Sequence, residues 1–115
     1  MESILTSTKK LAGVMKDYEH FDDDFIMYIN SVFMGLKQLG VGPSGGFVVT
    51  DESDTWHDFI PDDKDKVLRE SVKSYVGAKV RLQFDPPSNS SHLEALRQTI
   101  DEFEWRSFIE ADPIE

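Results

Sequence analysis

Glu70–Trp105, ESVKSYVGAKVRLQFDPPSNSSHLEALRQTIDEFEW, decides the fold of this 115-residue chain. The stretch reads as a long helix, a stop at Asp85-Pro86-Pro87, a polar turn and a second helix with its own cap. The first helix is predicted from about Asp63 to Phe84, with Leu68, Val72, Tyr75, Val76 and Leu82 on one face. Lys66, Arg69, Lys73 and Arg81 share another side. Lys79 falls within the apolar face. An unpaired buried ammonium is costly, so its stem should lie along the core edge while its head reaches water or a carboxylate. Gly77 costs up to ~1 kcal/mol of helix propensity relative to Ala, and is read as a point of close helix–helix approach. Pro86 disfavours the α conformation at Asp85 and ends the helix. The S-x-x-E spacing of Ser91 and Glu94 predicts a capping box at the start of the last helix. Leu93, Leu96, Ile100 and Phe103 form its inward stripe, followed by Trp105, Phe108 and Ile109. Glu110–Glu115 is a polar tail with no reason to be ordered in isolation.

Upstream, Ile4, Leu5, Thr8 and Leu11 place a first helix over Ser3–Ala12, stopped by Gly13. Lys16–Phe21 is mixed and polar and reads as a loop. A second helix runs from about Asp23 to Leu39. Asp22, Asp23 and Asp24 are expected to cap it and to face the positive end of its dipole. Phe25, Ile26, Ile29, Phe33 and Leu36 recur at helical spacing, and Met27, Tyr28, Val32 and Met34 widen the apolar surface. Such a helix is buried on most sides, in the core or in a subunit interface. Gly40 ends it. Gly42–Gly46 is a turn, and Phe47–Thr50 is a short β signal that needs a neighbour. Trp56 and Phe59, three apart, suit one helical turn before Pro61. The fold class is therefore all-α: a small four-helix domain with a loop or short β segment between the second and third helices. One domain fills residues 1–115, with about 107–115 as a C-terminal extension.

Composition narrows the functional classes. Lys16–Asp65 holds twelve acids against three lysines, whereas Lys66–Gln83 holds five basic residues against Glu70 alone. The net charge of −10 argues against a nucleic-acid or anionic-membrane binder. Cysteine is absent, which removes disulfides, thiolate metal sites and thiol nucleophiles. No stretch reaches the ~20 apolar residues of a membrane span, and the N-terminus lacks a signal-peptide pattern. The hydrophobic share, 39%, is low and suggests an elongated protomer or a core completed by neighbours.

Candidate chemistry is sparse. His20, His57 and His92 have no ligand spacing, and Asp54, His57 and Asp58 read as a chance grouping in an acidic loop. Asp22–Asp24 lacks the spaced ligands of a calcium loop. No nucleophile elbow, phosphate loop or dinucleotide fingerprint occurs. No enzymatic activity, metal or cofactor is expected. Aromatic residues and Arg are enriched at interface centres, which singles out Trp56, Phe59, Trp105, Arg106 and Phe108. The plainer alternative is that these residues close off a small core, a reading as good as the interface one for Trp105.

Ser71–Pro87, Leu93–Arg106, Phe25–Phe33 and Gln38–Pro43 together resemble the head–tail connector (adaptor) proteins of long-tailed bacteriophages. The resemblance covers nearly the whole chain and rests on packing and turn patterns. It implies a helical protomer that forms a ring, often twelve-fold, below the portal protein and above a tail-side stopper or completion protein. DNA would pass through without specific binding, repelled by an acidic lumen. Localisation would be the virion neck, after synthesis in the bacterial host cytoplasm. Arg106, Phe108, Ile109 and the tail, including Ile114, would face the portal. The loop Val41–Ile60 would face neighbouring subunits or the tail side. Acidic loops of one copy would meet Lys66, Arg69, Lys73 and Arg81 of the next, with Trp56 and Phe59 as further subunit-interface candidates. The main alternative is an acidic DNA mimic that inhibits a host nucleic-acid-binding protein. It requires rows of acids on one face, which the basic side of the third helix opposes. A regulatory or antitoxin-like module is a third reading.

Overall fold

A computed structural model describes residues 2–61 and 65–111, with side chains through 106. Five helices form: α1 (Ile4–Leu11), α2 (Asp22–Gln38), α3 (Trp56–Phe59), α4 (Lys66–Phe84) and α5 (Ser90–Ala111). The expected all-α architecture with four substantial helices is present, and α3 is a single additional turn. Positions 110 and 111, expected in an unstructured tail, continue α5.

The central element is α4, which packs against α1, α2, α3 and α5. Val72, Val76 and Val80 on it are fully buried, and Tyr75 nearly so. From α2 come Phe25, Ile29, Val32, Phe33 and Leu36, at the spacing the sequence shows. Ile4 and Leu5 of α1 close the core. Gly77 lets α1 and α4 approach: a Cβ there would lie 2.5 Å from Leu11 Cδ1 and 3.3 Å from Leu11 Cβ. Asp85 leaves helical conformation immediately before Pro86, as its pre-proline position requires.

The expected caps are corrected at two helices. Phe21, not an aspartate, holds the N-cap position of α2 and makes no side-chain cap bond. Asp22, Asp23 and Asp24 all lie inside the first turn, where their charge still suits the dipole. In α5 the Ser91–Glu94 capping box does not form. Instead the Asn89 carboxamide oxygen accepts from the Ser91 N–H at 2.8 Å and the His92 N–H at 3.2 Å. Asn is as good a cap as Ser, and two residues earlier it reaches two free donors at once.

No strand forms among the described residues, only an isolated antiparallel bridge between Ser3 and Thr55. The β signal at Phe47–Thr50 has a different resolution. Val49 donates to Asn30 Oδ1 at 2.7 Å, and Asn30 Nδ2 donates to the Val49 carbonyl at 3.0 Å. One side-chain amide on α2 therefore does for Val49 what a neighbouring strand would do. Val49 is consequently buried, while Val48 points outward. Aromatic stacking completes this corner: Phe33 and Phe59 lie parallel with centroids 4.5 Å apart, and Phe47 meets both edge-on.

Candidate assembly surface

The four basic residues expected to form one exposed face are divided by the fold. Arg69 is buried and donates from Nη1 to the Ile60 carbonyl at 2.7 Å, fastening the end of the α3 segment onto α4. Lys73 lies 2.6 Å from Glu2 Oε1, an ion pair between α4 and the start of the chain. Only Lys66 and Arg81 of the four are exposed. On a wheel these residues spread over an arc of about 120° that also takes in the buried Val80. The wheel carries no information about which loop carbonyl or N-terminal acid arrives there.

Trp56 and Phe59 are core residues of the protomer, each 2% exposed. Trp56 donates from Nε1 to Ser7 Oγ at 2.8 Å, and Phe59 stacks on Phe33. In this conformation neither offers area to a neighbouring subunit. Thr55 caps their turn in a complete capping box with Asp58. The acids of this loop are similarly engaged. Asp54 Oδ2 accepts from the Thr50 and Asp51 N–H groups at 2.8 and 3.3 Å, and Asp58 Oδ2 accepts from Thr55 N–H at 3.0 Å. Among the described residues no His, Cys, Asp and Glu group is arranged to hold a metal ion.

The exposed apolar side chains form a different set. Met27 and Met34 lie seven residues apart on α2, and both are more than half exposed. Trp105 on α5 is 64% exposed, and Val67 opens the outer side of α4. The second helix thus serves the core with one face and leaves its methionines outward. Two grooves flank α5. One, of about 540 Å³, lies between α4 and α5 and includes Val67, Phe103 and Arg106. The other, of about 530 Å³, is walled by α2, α4 and α5 and includes Leu39, Lys79 and Trp105.

Arg106 is exposed near the end of α5. Phe108 and Ile109 lie in the last turns of α5 with side chains outside the described set, and Ile114 lies outside the described residues. Lys79 behaves as its position within the apolar face requires. Its Nζ is half-buried and lies 3.4 Å from Glu104 Oε2. Glu104 Oε2 also accepts from the Tyr75 hydroxyl at 2.6 Å. No helix among the described residues is long and apolar enough to cross a membrane.

This is a helical scaffold whose polar groups are spent on caps and interhelix ties, with apolar side chains left outward. The model of the phage connector protein family matches residues 4–113, nearly the whole chain. The chain belongs to that family. The resemblance carried by the packing and turn motifs is thereby confirmed, and the family is a structural one, not an enzymatic one. No curated protein and no solved structure matches the chain significantly.

Proposed function

We propose that this connector is a neck protein of the virion, whose copies assemble into a ring between the portal and the tail-side stopper and leave a channel for DNA. The observation that carries the reading is family membership over residues 4–113. The distribution of surface groups supports it. The exposed Met27 and Met34 of α2, Val67 of α4 and Trp105 of α5 offer apolar contact area on three helices. Two unlike surfaces suit a head-to-tail contact, which closes into a ring when the rotation between copies allows.

The electrostatic part of the contact falls to fewer residues than the sequence implies. Lys66 and Arg81 remain available on α4, and the exposed Glu52 remains on the loop after Val48, where Asp51 is already hydrogen-bonded to Ser53. Arg106, with the chain beyond it, is the segment offered to the portal. The net charge of −10 keeps passing DNA from adhering.

The test is to mix the purified chain with portal rings and measure the mass of the complexes by native mass spectrometry. The reading requires a complex holding several copies of the chain per portal ring. A chain that stays unbound at every ratio contradicts it.

A further inference from the structure

Two grooves on opposite sides of α5 share one wall, Tyr75. Up to Ile100, α5 is seated by a regular stripe in which Leu93 and Leu96 are half-buried and Ile100 is buried. Beyond Ile100 the seating changes. Among residues 101–106, Asp101, Glu102, Trp105 and Arg106 are exposed, and Phe103 and Glu104 are partly covered. Both are held by Tyr75 of α4, and Glu104 is held by Lys79 as well. Phe103 stacks on Tyr75 with centroids 4.4 Å apart. Glu104 Oε2 takes the Tyr75 hydroxyl at 2.6 Å and faces Lys79 Nζ at 3.4 Å. The Lys79 ammonium also lies 5.8 Å from the Tyr75 ring centre. Among the described residues α5 has no substantial helix neighbour except α4.

We propose that Tyr75, Glu104 and Lys79 form a latch that clamps the distal half of α5, and that opening it frees this half while the rest of the protomer stays folded. Three observations point the same way. Among the described side chains of residues 101–106, Phe103 is the one apolar group turned toward α4. Space already exists on both sides of the attachment described at Tyr75. The attachment is polar at its centre, and the Lys79 and Glu104 side chains in it are partly exposed to water. Opening would join the two grooves and uncover Phe103, the ring of Tyr75 and the Leu39 side of α2 as one apolar surface.

The device is independent of the connector reading, because it is tested on the free chain. Hydrogen–deuterium exchange is measured for the wild type and for Tyr75→Phe and Glu104→Gln. The first substitution keeps the ring stack and removes the hydroxyl. The second keeps the shape and an acceptor oxygen and removes the charge. Both are conservative enough to fold. In Tyr75→Phe, amides of residues 101–106 should exchange about tenfold faster, the effect of losing one hydrogen bond to a charged group. Glu104→Gln should give a smaller acceleration in the same segment. Amides of α1, α2 and the 93–100 half of α5 should keep their wild-type rates. Unchanged exchange at 101–106 in both variants overturns the latch. So does equal acceleration in every helix, which would mean that the distal half opens only when the whole protomer unfolds.

Discussion

Lys9 Nζ lies 2.6 Å from Asp22 Oδ1, and Lys9 is 2% exposed. The ammonium also donates to the carbonyls of Lys16 at 3.1 Å and Tyr18 at 2.7 Å. One side chain therefore ties the end of α1, the connecting loop and the first turn of α2. The two partners are not equivalent: the Asp22 side chain is 28% exposed although its Oδ1 is buried, whereas Lys9 is 2% exposed. Asp22→Ala leaves a buried ammonium with two carbonyl acceptors but no counter-charge and should cost roughly 3 kcal/mol of folding stability. Lys9→Met removes the charge from the buried site and leaves Asp22 free to rehydrate, so it should cost clearly less. Urea denaturation of both variants checks the order; equal losses would contradict it.

Arg69 and Arg81 are expected on one side of their helix and are opposite in exposure. Arg69→Glu places a carboxylate against the Ile60 carbonyl in a buried site and should lower stability by several kcal/mol, or prevent folding. Arg81→Glu changes only an exposed charge and should stay within about 0.5 kcal/mol of the wild type. Arg81→Glu is therefore the substitution that can report on assembly, and thermal denaturation establishes the difference before any assembly experiment.

Two glycines should respond with opposite sign. Gly42 has φ +91°, and a Cβ there would lie 2.6 Å from two carbons of the Phe59 ring. Gly42→Ala combines left-handed strain with a clash against a buried ring and should cost about 2 kcal/mol or more. Gly35 lies inside α2, and a Cβ there meets nothing within 4 Å. Gly35→Ala should stabilise the free protomer by up to about 1 kcal/mol through helix propensity alone. Denaturation midpoints of the two variants should move apart from the wild type in opposite directions.

Burial, reinforced by the Glu104 carboxylate, holds the Tyr75 phenol well above its ordinary pKa of 10.0. A raised pKa in the folded state means that the contribution of this group is fully present below the unfolded-state pKa. It is lost as pH rises from there through the folded-state value. The wild type should therefore lose stability steeply above about pH 10. Tyr75→Phe starts lower at neutral pH, having lost the hydrogen bond, but should fall less steeply in the alkaline range. Urea midpoints measured on both proteins across that range give the comparison, and parallel slopes would contradict it.

Much of this arrangement was legible in the sequence, and the failures share a cause. Apolar periodicity gave α1, α2, α4 and α5 with ends close to those observed, because Gly40 and Pro86 act locally. Gly77 and Lys79 were also legible, since each is an anomaly on an otherwise regular face and each has one inexpensive resolution. What escaped depends on contacts distant in sequence. Nothing in the spacing of α4 shows that the Ile60 carbonyl will claim Arg69, or that Glu2 will reach Lys73. Nothing near Phe47 shows that Asn30, on another element, will satisfy Val49. The buried Lys9 was invisible because its three partners come from the loop and from α2. The cap of α5 failed for a local reason: Asn89 and Ser91 are both competent caps, and pattern matching favoured the one with a glutamate three residues on.

The central claim is that this chain joins a phage head to its tail. Its most direct test is electron microscopy of particles made in an infection that lacks this chain. The account predicts heads and tails that are present but unjoined, with joining restored when the chain is supplied. Normally joined virions in its absence would contradict it.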